Sequence, residues 1–330
     1  MARYFLLTLA VALLCCPANS QGQILLDEQF SGNGVDSTRF TFSSTGDESF
    51  FGRTQLNSPA LSGLNGFPQV SNGTLKLRLQ TYNPFGNAAG NLFLADEIRT
   101  RDVYEPTANA GVRFEIRSRF VDDAVNPLSA GLVGGMFTFG LDSQFPTVFE
   151  RDEIDIELLS NFPTNGFLTN VFEDQNFNSA GNGAFHFIPN YDATQFNDYR
   201  IDVEVDGIRF FVNDVLVREE LNTLAIEPQD FRLNINAPDI FFAPAFSDLL
   251  QPTAVASENE IFIFEVDSLV ISEITTLLGD VNLDGTVDFL DISPLIALLS
   301  SGGFLAEADI DGNGTVDFLD ISPFIALLSS

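Results

Sequence analysis

Hydrophobic and polar residues alternate with a period of two in several short segments between residues 24 and 272. Clear examples are Thr74–Leu79, Val112–Arg117 and Ile208–Val212. This period predicts β-strands, because successive side chains of a strand point to opposite faces of a sheet. Clusters of Gly, Asn, Pro and Ser separate the segments, and no long helical period occurs among them. The pattern predicts an all-β domain, a two-sheet sandwich of the jelly-roll type.

A repeated pattern begins near Gly279, where the composition of the chain changes. The segment that starts at Asp280 recurs 29 residues later, starting at Asp309. Each copy has an acidic loop with a glycine, followed by apolar residues at helical spacing. We therefore expect a sandwich over residues 24–272, a short linker over 273–278, and a small α-helical module with two loop–helix repeats over 279–330.

Residues 1–20 have the pattern of an export signal. Arg3 supplies the positive charge, and the apolar run Tyr4–Cys16 is too short to span a bilayer. The small residues Ala18–Ser20 fit a cleavage site after Ser20. We therefore expect a secreted protein, extracellular or at the cell surface, with no membrane span. Both cysteines, Cys15 and Cys16, lie in this segment, so the mature protein would have no disulfide.

The charge of the chain limits its partners. It has 46 acidic and 15 basic residues, a formal net charge of −31, and Lys76 is its only lysine. Binding to nucleic acid or to an anionic membrane needs clustered Lys and Arg, so this composition excludes both partners.

The segment Asp152–Leu158 places three acidic residues at alternate positions. In a strand, Glu153, Asp155 and Glu157 lie on one face, and the apolar residues between them lie on the other. The Cα atoms of the two glutamates would be roughly 13 Å apart, and inward-leaning side chains would bring their carboxyls within roughly 5 Å. That separation is the one that a retaining glycosidase needs.

The alternative without a catalytic role is that this segment is an acidic strand that faces solvent. A solvated strand has no reason to stack like charges on one face, where they repel each other. A catalytic strand does have a reason to place carboxyls together, because three crowded carboxyls do not all ionise easily. One glutamate then keeps a proton near neutral pH and can act as a general acid.

The hexapeptide Asp152–Glu157 resembles the motif of glycoside hydrolase family 16, within its lichenase and xyloglucan-transglycosylase branch. The laminarinase and agarase branch has a bulge before the last glutamate, which this sequence lacks. The resemblance implies a concanavalin A-like jelly-roll sandwich. It also implies that Glu153 is the nucleophile, Asp155 the assisting carboxylate and Glu157 the acid/base.

Weaker likenesses to the same family follow in order along residues 24–272, including Glu97–Thr100, Gly131–Gly140 and Thr169–Phe172. The chain has no Trp, although this family usually stacks sugars on Trp, so the choice of substrate stays open. Phe40, Phe137, Arg151 and Val203 stand where relatives often have Trp. The resemblance implies that the sugar cleft is lined by Glu97, Arg99, Phe137, Phe139, Asn170 and Phe172.

Each C-terminal repeat places oxygen-bearing residues at positions 1, 3, 5, 7, 9 and 12 of a loop, with glycine at position 6. Oxygen ligands at this spacing suit Ca²⁺, and the glycine permits the sharp turn. Position 7 would contribute its backbone carbonyl. We therefore predict two calcium sites, formed by Asp280, Asn282, Asp284, Thr286, Asp288 and Asp291 in the first loop and by Asp309, Asp311, Asn313, Thr315, Asp317 and Asp320 in the second.

No helix is expected before either loop, so each repeat resembles a unit of a type I dockerin rather than a full EF-hand. The resemblance implies a cohesin-like receptor or a cell-surface scaffold as partner. The positions used for recognition in dockerins carry Phe289–Leu290 and Phe318–Leu319, which either contact an atypical receptor or pack internally. We expect a small core in the module from Ile292, Leu295, Ile296, Leu299, Ile321, Phe324, Ile325 and Leu328.

Three functions are compatible with these features. The first is a secreted retaining endo-β-glycosidase that hydrolyses a β-glucan-type polysaccharide and is attached to a scaffold, with no cofactor for catalysis. The second is a transglycosylase, which shares the glycosyl-enzyme step and which the sequence does not separate from a hydrolase. The third is a carbohydrate-binding, lectin-like protein, which has no need for a retaining pair of carboxylates.

Overall fold

The computed structural model describes residues 22–43, 52–56, 68–85, 92–107, 110–141, 150–176, 181–275, 277–282 and 286–329. The expected export signal and Asp284 lie outside these residues. The chain forms two compact units, one over Gly22–Thr276 and one that contains Leu277–Ser330. Among the described residues, no helix has the length and apolar character needed to cross a bilayer.

The first unit consists of two sheets, and ten of its described strands form the larger one. The predicted strands around Thr74, Val112 and Ile208 all belong to this sheet. Its order is β15 (Val215–Glu220), β14 (Gly207–Val212), β13 (Asn197–Glu204), β8 (Ala110–Phe120), β17 (Ile261–Thr275), β5 (Thr74–Gln80), β6 (Phe93–Ala95) and β3 (Thr54–Leu56), while β1 (Ile24–Glu28) pairs with β17 and β4 (Gln69–Ser71) with β5.

The second sheet has seven strands in the described part of the chain, all paired antiparallel. The acidic segment of the sequence analysis lies in β10, near the middle of this sheet. The order is β12 (Ala184–His186), β11 (Phe167–Asn176), β10 (Glu150–Leu159), β9 (Val133–Leu141), β16 (Asp230–Asn236), β7 (Glu97–Thr100) and β2 (Phe40–Phe42).

The core lies between the two sheets. Phe114 of β8 stacks on Phe231 of β16, with ring centroids 5.1 Å apart. Ile154 and Ile156 of β10 are fully buried in the same cluster. Each sheet buries one face in this core, which explains the period of two in the sequence. The opposite face of the seven-stranded sheet lies outside the core. The jelly-roll sandwich expected from the sequence is confirmed.

The second unit contains two short helices, α1 (Ile292–Ser301) and α2 (Ile321–Leu327). Each follows an acidic loop, as the repeat predicts. A glycine ends α1: Gly302 has a φ of 70° and donates its N–H to the carbonyl of Leu298 at 2.9 Å. The buried core is Val281, Leu295, Ala308 and Phe324.

The module core is smaller than the sequence predicts. Leu295 and Phe324 are buried as expected, but Ile292, Ile296 and Ile325 are exposed. The two short helices, of ten and seven residues, bury only a narrow stripe. A helical apolar pattern does not by itself show which of its residues lie inside that stripe.

Candidate active site and calcium loops

Glu153, Asp155 and Glu157 lie on the face of β10 that points away from the core, here called the site face. Pairing with both neighbouring strands is regular from Glu153 to Leu158, and the register shift towards β11 lies before it, between Arg151 and Glu153. The register places Glu153 between Phe172 and Phe139, Asp155 between Asn170 and Phe137, and Glu157 between Leu168 and Gly135.

The structure brings all six predicted cleft residues to the site face. On the far side of β9, Arg232 of β16 pairs with Phe137 and with Arg99 of β7, and Asn234 pairs with Gly135 and with Glu97. Residues that pair across neighbouring strands lie on the same face of the sheet. The side chains of Arg232, Arg99, Asn234 and Glu97 therefore lie on the site face, in line with those of Asp155 and Glu157. Glu97 and Asn170 are nearly buried, whereas the side chain of Arg99 is 42% exposed.

Hydrogen bonds hold β10 at both edges. The carboxylate of Asp152 accepts from the backbone N–H of Asp174 at 2.9 Å and of Glu227 at 3.1 Å. The N–H of Ile154 donates to the hydroxyl of Thr138 at 3.1 Å. These contacts fix the strand in its sheet, so the three acidic side chains of the site face are held on a rigid support.

The three carboxyls differ in their tendency to ionise. Burial and the neighbouring carboxylates of Glu153 and Glu157 raise the pKa of Asp155 well above its usual range. Burial and the charge of Glu153 raise the pKa of Glu157 to about 8. Burial also raises the pKa of Glu153, but Arg151 and a hydrogen bond with Asp155 oppose this effect. Arg151 therefore favours the ionised form of Glu153, whereas the raised pKa of about 8 favours the protonated form of Glu157 at neutral pH.

Two arginines flank Glu153. Arg151 forms an ion pair with Glu153, and its guanidinium carbon lies 4.0 Å from the ring centroid of Phe172. On the other side, the guanidinium carbon of Arg232 lies 4.1 Å from the ring centroid of Phe139. A guanidinium thus covers one face of each ring, and that face is closed to the sugar stacking that an uncovered ring would offer.

The contribution of β16 to the site face is not visible in the sequence. Arg232 binds Asp230, with Nε 2.5 Å from Oδ1, and Asn234 donates to Oε2 of Glu97 at 2.8 Å. The alternation of polar and apolar residues over Asp230–Asn236 predicts a half-buried strand, but only the register shows that it lies beside β9. Two positions where relatives often have Trp, Phe40 and Val203, are buried in the core instead.

The second acidic loop of the C-terminal unit folds around its own carboxylates. Asp320 accepts backbone N–H bonds from Ile310 at 2.7 Å, Asp311 at 3.1 Å and Asp317 at 2.8 Å. Carboxylate oxygens of Asp309, Asp311 and Asp320 lie within 4.8 Å of one another. Asn313 and Thr315 are exposed beside them.

The described part of the first loop repeats this arrangement. Asp291 accepts from the N–H of Asn282 at 2.9 Å and of Asp288 at 2.8 Å, as Asp320 does from the equivalent residues. Asp280 and Asp291 are buried, and Thr286 is exposed.

The charge of this unit favours the binding of a cation. Residues 279–330 contain nine acidic residues and no Lys, Arg or His. Four of the aspartates, Asp280, Asp291, Asp309 and Asp320, are at least 92% buried. Buried carboxylates are stabilised by hydrogen bonds and by positive partners, and residues 279–330 contain no basic side chain that could be such a partner. Oxygen ligands at EF-hand-like spacing fit Ca²⁺ by their chemistry.

The paired apolar residues of the two repeats do not pack internally. Phe289 and Leu290 are 75% and 66% exposed, and Phe318 and Leu319 are 78% and 65% exposed. The structure therefore excludes internal packing, one of the two alternatives left open by the sequence. The two pairs occupy the same place in their repeats, just before the last aspartate of each loop.

Two family models match the chain. Residues 117–238 match the model described as glycosyl hydrolases family 16, and residues 278–329 match the type I dockerin domain. A search of curated proteins gave no match.

Solved structures share the fold of the first unit. A lichenase from a mouse hindgut metagenome has a TM-score of 0.55 at 18% identity, over 76% of this chain and 99% of that one. An endo-1,3-β-glucanase (laminarinase) from Thermotoga petrophila has a TM-score of 0.58 at 15% identity, over 77% and 98%. A β-glucanase from Bacillus licheniformis has a TM-score of 0.54 at 16% identity, over 76% and 98%. Residues 117–238 are therefore similar to glycosyl hydrolases of family 16, and residues 278–329 to type I dockerin domains.

Proposed function

We propose that this protein is a secreted, retaining endo-β-glycosidase that hydrolyses a β-glucan-type polysaccharide. The observation that carries the proposal is the arrangement of Glu153, Asp155 and Glu157 on one face of an uninterrupted strand, with a different readiness to ionise at each carboxyl. The endo-acting glucanases among the structural neighbours support it by their shared fold.

In the proposed reaction, the ionised Glu153 attacks the anomeric carbon and the glycosidic C–O bond breaks. Glu157 donates its proton to the departing oxygen. In the second step Glu157 takes a proton from water, the water oxygen bonds to the anomeric carbon, and Glu153 is released. Asp155 carries the proton that it shares with Glu153, which keeps a second negative charge away from the nucleophile.

Digestion of a polysaccharide panel tests this function. The panel contains mixed-linkage glucan, laminarin, xyloglucan, agarose and carrageenan, and the release of reducing ends is measured. Hydrolysis of a glucan into oligosaccharides is the expected result. Redistribution of oligosaccharide lengths without new reducing ends would instead indicate a transglycosylase, and binding without either change would indicate a lectin-like protein.

Hydrolysis should retain the configuration at the anomeric carbon. Double displacement inverts that carbon twice, so the first product is the β-anomer. Proton NMR of the product within the first minutes of the reaction, before mutarotation, checks this. An initial α-anomer would contradict the assignment of Glu153 as nucleophile.

We expect activity to fall as the pH rises through about 8. Glu157 must be protonated to act as the acid, and its pKa is raised to about 8, so it is active below that pH and loses its proton above it. The measurement is kcat/KM against pH on a soluble glucan. In Glu157→Gln, assayed on a glycoside whose leaving group needs no proton, this basic limb should disappear; its persistence would assign the limb to another group.

The C-terminal unit is proposed to attach the enzyme to its surroundings. Type I dockerin domains are receptor-binding modules, so a cohesin-like receptor or a cell-surface scaffold is the proposed partner. Two Ca²⁺ ions, one in each loop, would neutralise the buried aspartates and hold the receptor-binding surface in shape. The expected export signal at residues 1–20 and the acidic composition are the reasons for proposing a location outside the cell.

A further inference from the structure

The described surroundings of Glu153 come from β9, β10, β11 and β16. From β11 and β9, the paired residues Phe172 and Phe139 stand on either side of it. Among the described residues, the charged groups that act on it are Arg151, Asp155 and Glu157 on its own strand and Arg232 on β16. Its side chain is 13% exposed, and that of Arg151 is 9% exposed.

The two arginines are not equivalent. Arg232 makes a two-point ion pair with Asp230, with distances of 2.5 Å and 3.1 Å, and lies 3.8 Å from Glu97. Its guanidinium is therefore held by the carboxylates of β16 and β7, and it acts on Glu153 through its charge rather than through an ion pair. The ion pair of Arg151 is with Glu153 itself, and stacking on the ring of Phe172 fixes the plane of its guanidinium.

We propose that Arg151 is a positioning residue that keeps Glu153 ionised and aligned for attack, an inference that rests on the proposed function of Glu153. The guanidinium offsets the burial of the carboxylate, which by itself favours the protonated form. It also orients the carboxylate, because a stacked guanidinium donates in fixed directions. In the second step of the reaction, the same charge stabilises the carboxylate as it leaves the sugar.

The test compares Arg151→Gln and Arg151→Met, which remove the charge, with Arg151→Lys, which keeps it. The pH dependence of kcat/KM on a soluble glucan is measured for each. In the uncharged variants, we expect the acidic limb to move upward by about one pH unit, because an opposite charge at contact distance shifts a carboxyl by that order. At pH values below the acidic limb, kcat/KM of the uncharged variants should then be about tenfold lower than that of the wild-type protein. Arg151→Lys should keep the acidic limb close to its wild-type position.

The control variant is Arg117→Gln, on the other sheet. Arg117 is also ion-paired, with Asp198 at 2.9 Å and Asp267 at 3.3 Å, and its guanidinium carbon lies 5.4 Å from the ring centroid of Phe196. The variant Arg117→Gln should leave the acidic limb at its wild-type pH. An unmoved limb in a folded uncharged variant at Arg151 would overturn the proposal, whether activity falls or not, and so would a rise in KM alone.

A second measurement does not depend on turnover. In protein labelled with ¹³C at glutamate carboxyls, the signal of Glu153 is identified by its loss in Glu153→Gln and followed through a pH titration. We expect a higher apparent pKa in Arg151→Gln or Arg151→Met, whichever is folded by circular dichroism. An unchanged pKa would refute the role of Arg151. Inactivity of the wild-type protein on every glycan, with the pKa shift present, would refute only the proposed function.

Discussion

Replacing Glu153 by glutamine is expected to abolish hydrolysis while the sandwich remains folded. The amide keeps the volume of the side chain but cannot attack the anomeric carbon, so kcat should fall by roughly 10⁴-fold or more. Burial of Glu153 is incomplete and its main partner is Arg151, so the fold does not depend on this carboxylate. Initial rates on the preferred glucan, together with a thermal melt, measure both effects.

The matched variant is Glu157→Gln, two strand positions away on the same face. It should be equally inactive on a polysaccharide, because the departing sugar needs a proton. On a glycoside with an activated leaving group it should keep the first step, and azide should accelerate the second by attacking the glycosyl-enzyme. Full activity of Glu153→Gln, or rescue of both variants by azide in the same way, would remove Glu153 from the role of nucleophile.

Removal of calcium is expected to unfold the C-terminal module and to leave the glycosidase domain active. Nine acidic residues repel one another in a segment with no basic residue, and the buried core in the described part of the module consists of four side chains. Segments of this size usually need a metal or another cross-link, and the energy of metal binding then becomes folding energy. A fragment over 279–330 should therefore gain helical circular dichroism when millimolar Ca²⁺ replaces EGTA.

Asp320→Asn tests the second loop directly. Asp320 is fully buried and accepts three backbone N–H bonds through its two carboxylate oxygens, so the variant keeps the size of the side chain but loses a ligand charge and one accepting oxygen. It should need more Ca²⁺ to fold, whereas Phe318→Ser, at a position 78% exposed, should fold at the same concentration. Identical helical signals for the wild-type fragment in EGTA and in Ca²⁺ would contradict the calcium sites.

The sequence was informative wherever one local period decides the structure. Alternation around Thr74, Val112 and Ile208 predicted three strands of the larger sheet, and the acidic alternation after Asp152 predicted which side chains share a face of β10. Both follow from the two-residue period of a strand, which needs no knowledge of its neighbours. The loop–helix repeats were equally visible, because the two copies have nearly the same residues at each position.

Features that depend on pairing between distant strands were not visible. Arg232 reaches the site face only because β16 lies beside β9, and the sequence does not state that register. The stacking of Arg151 on Phe172 has the same origin, since the two residues come from different strands. The exposure of Ile296 was missed because a helical apolar pattern does not show how much surface the opposite helix can cover.

The position of β17 constrains the order in which the protein is built. It is the last strand of the sandwich along the chain, yet it lies between β8 and β5 and also pairs with β1. Until residues 261–275 have been synthesised, the strands around β13 and those around β5 have no common partner and the larger sheet stays in two parts. Such long-range pairing makes folding slow. The larger sheet is therefore completed only after nearly the whole sandwich has been synthesised.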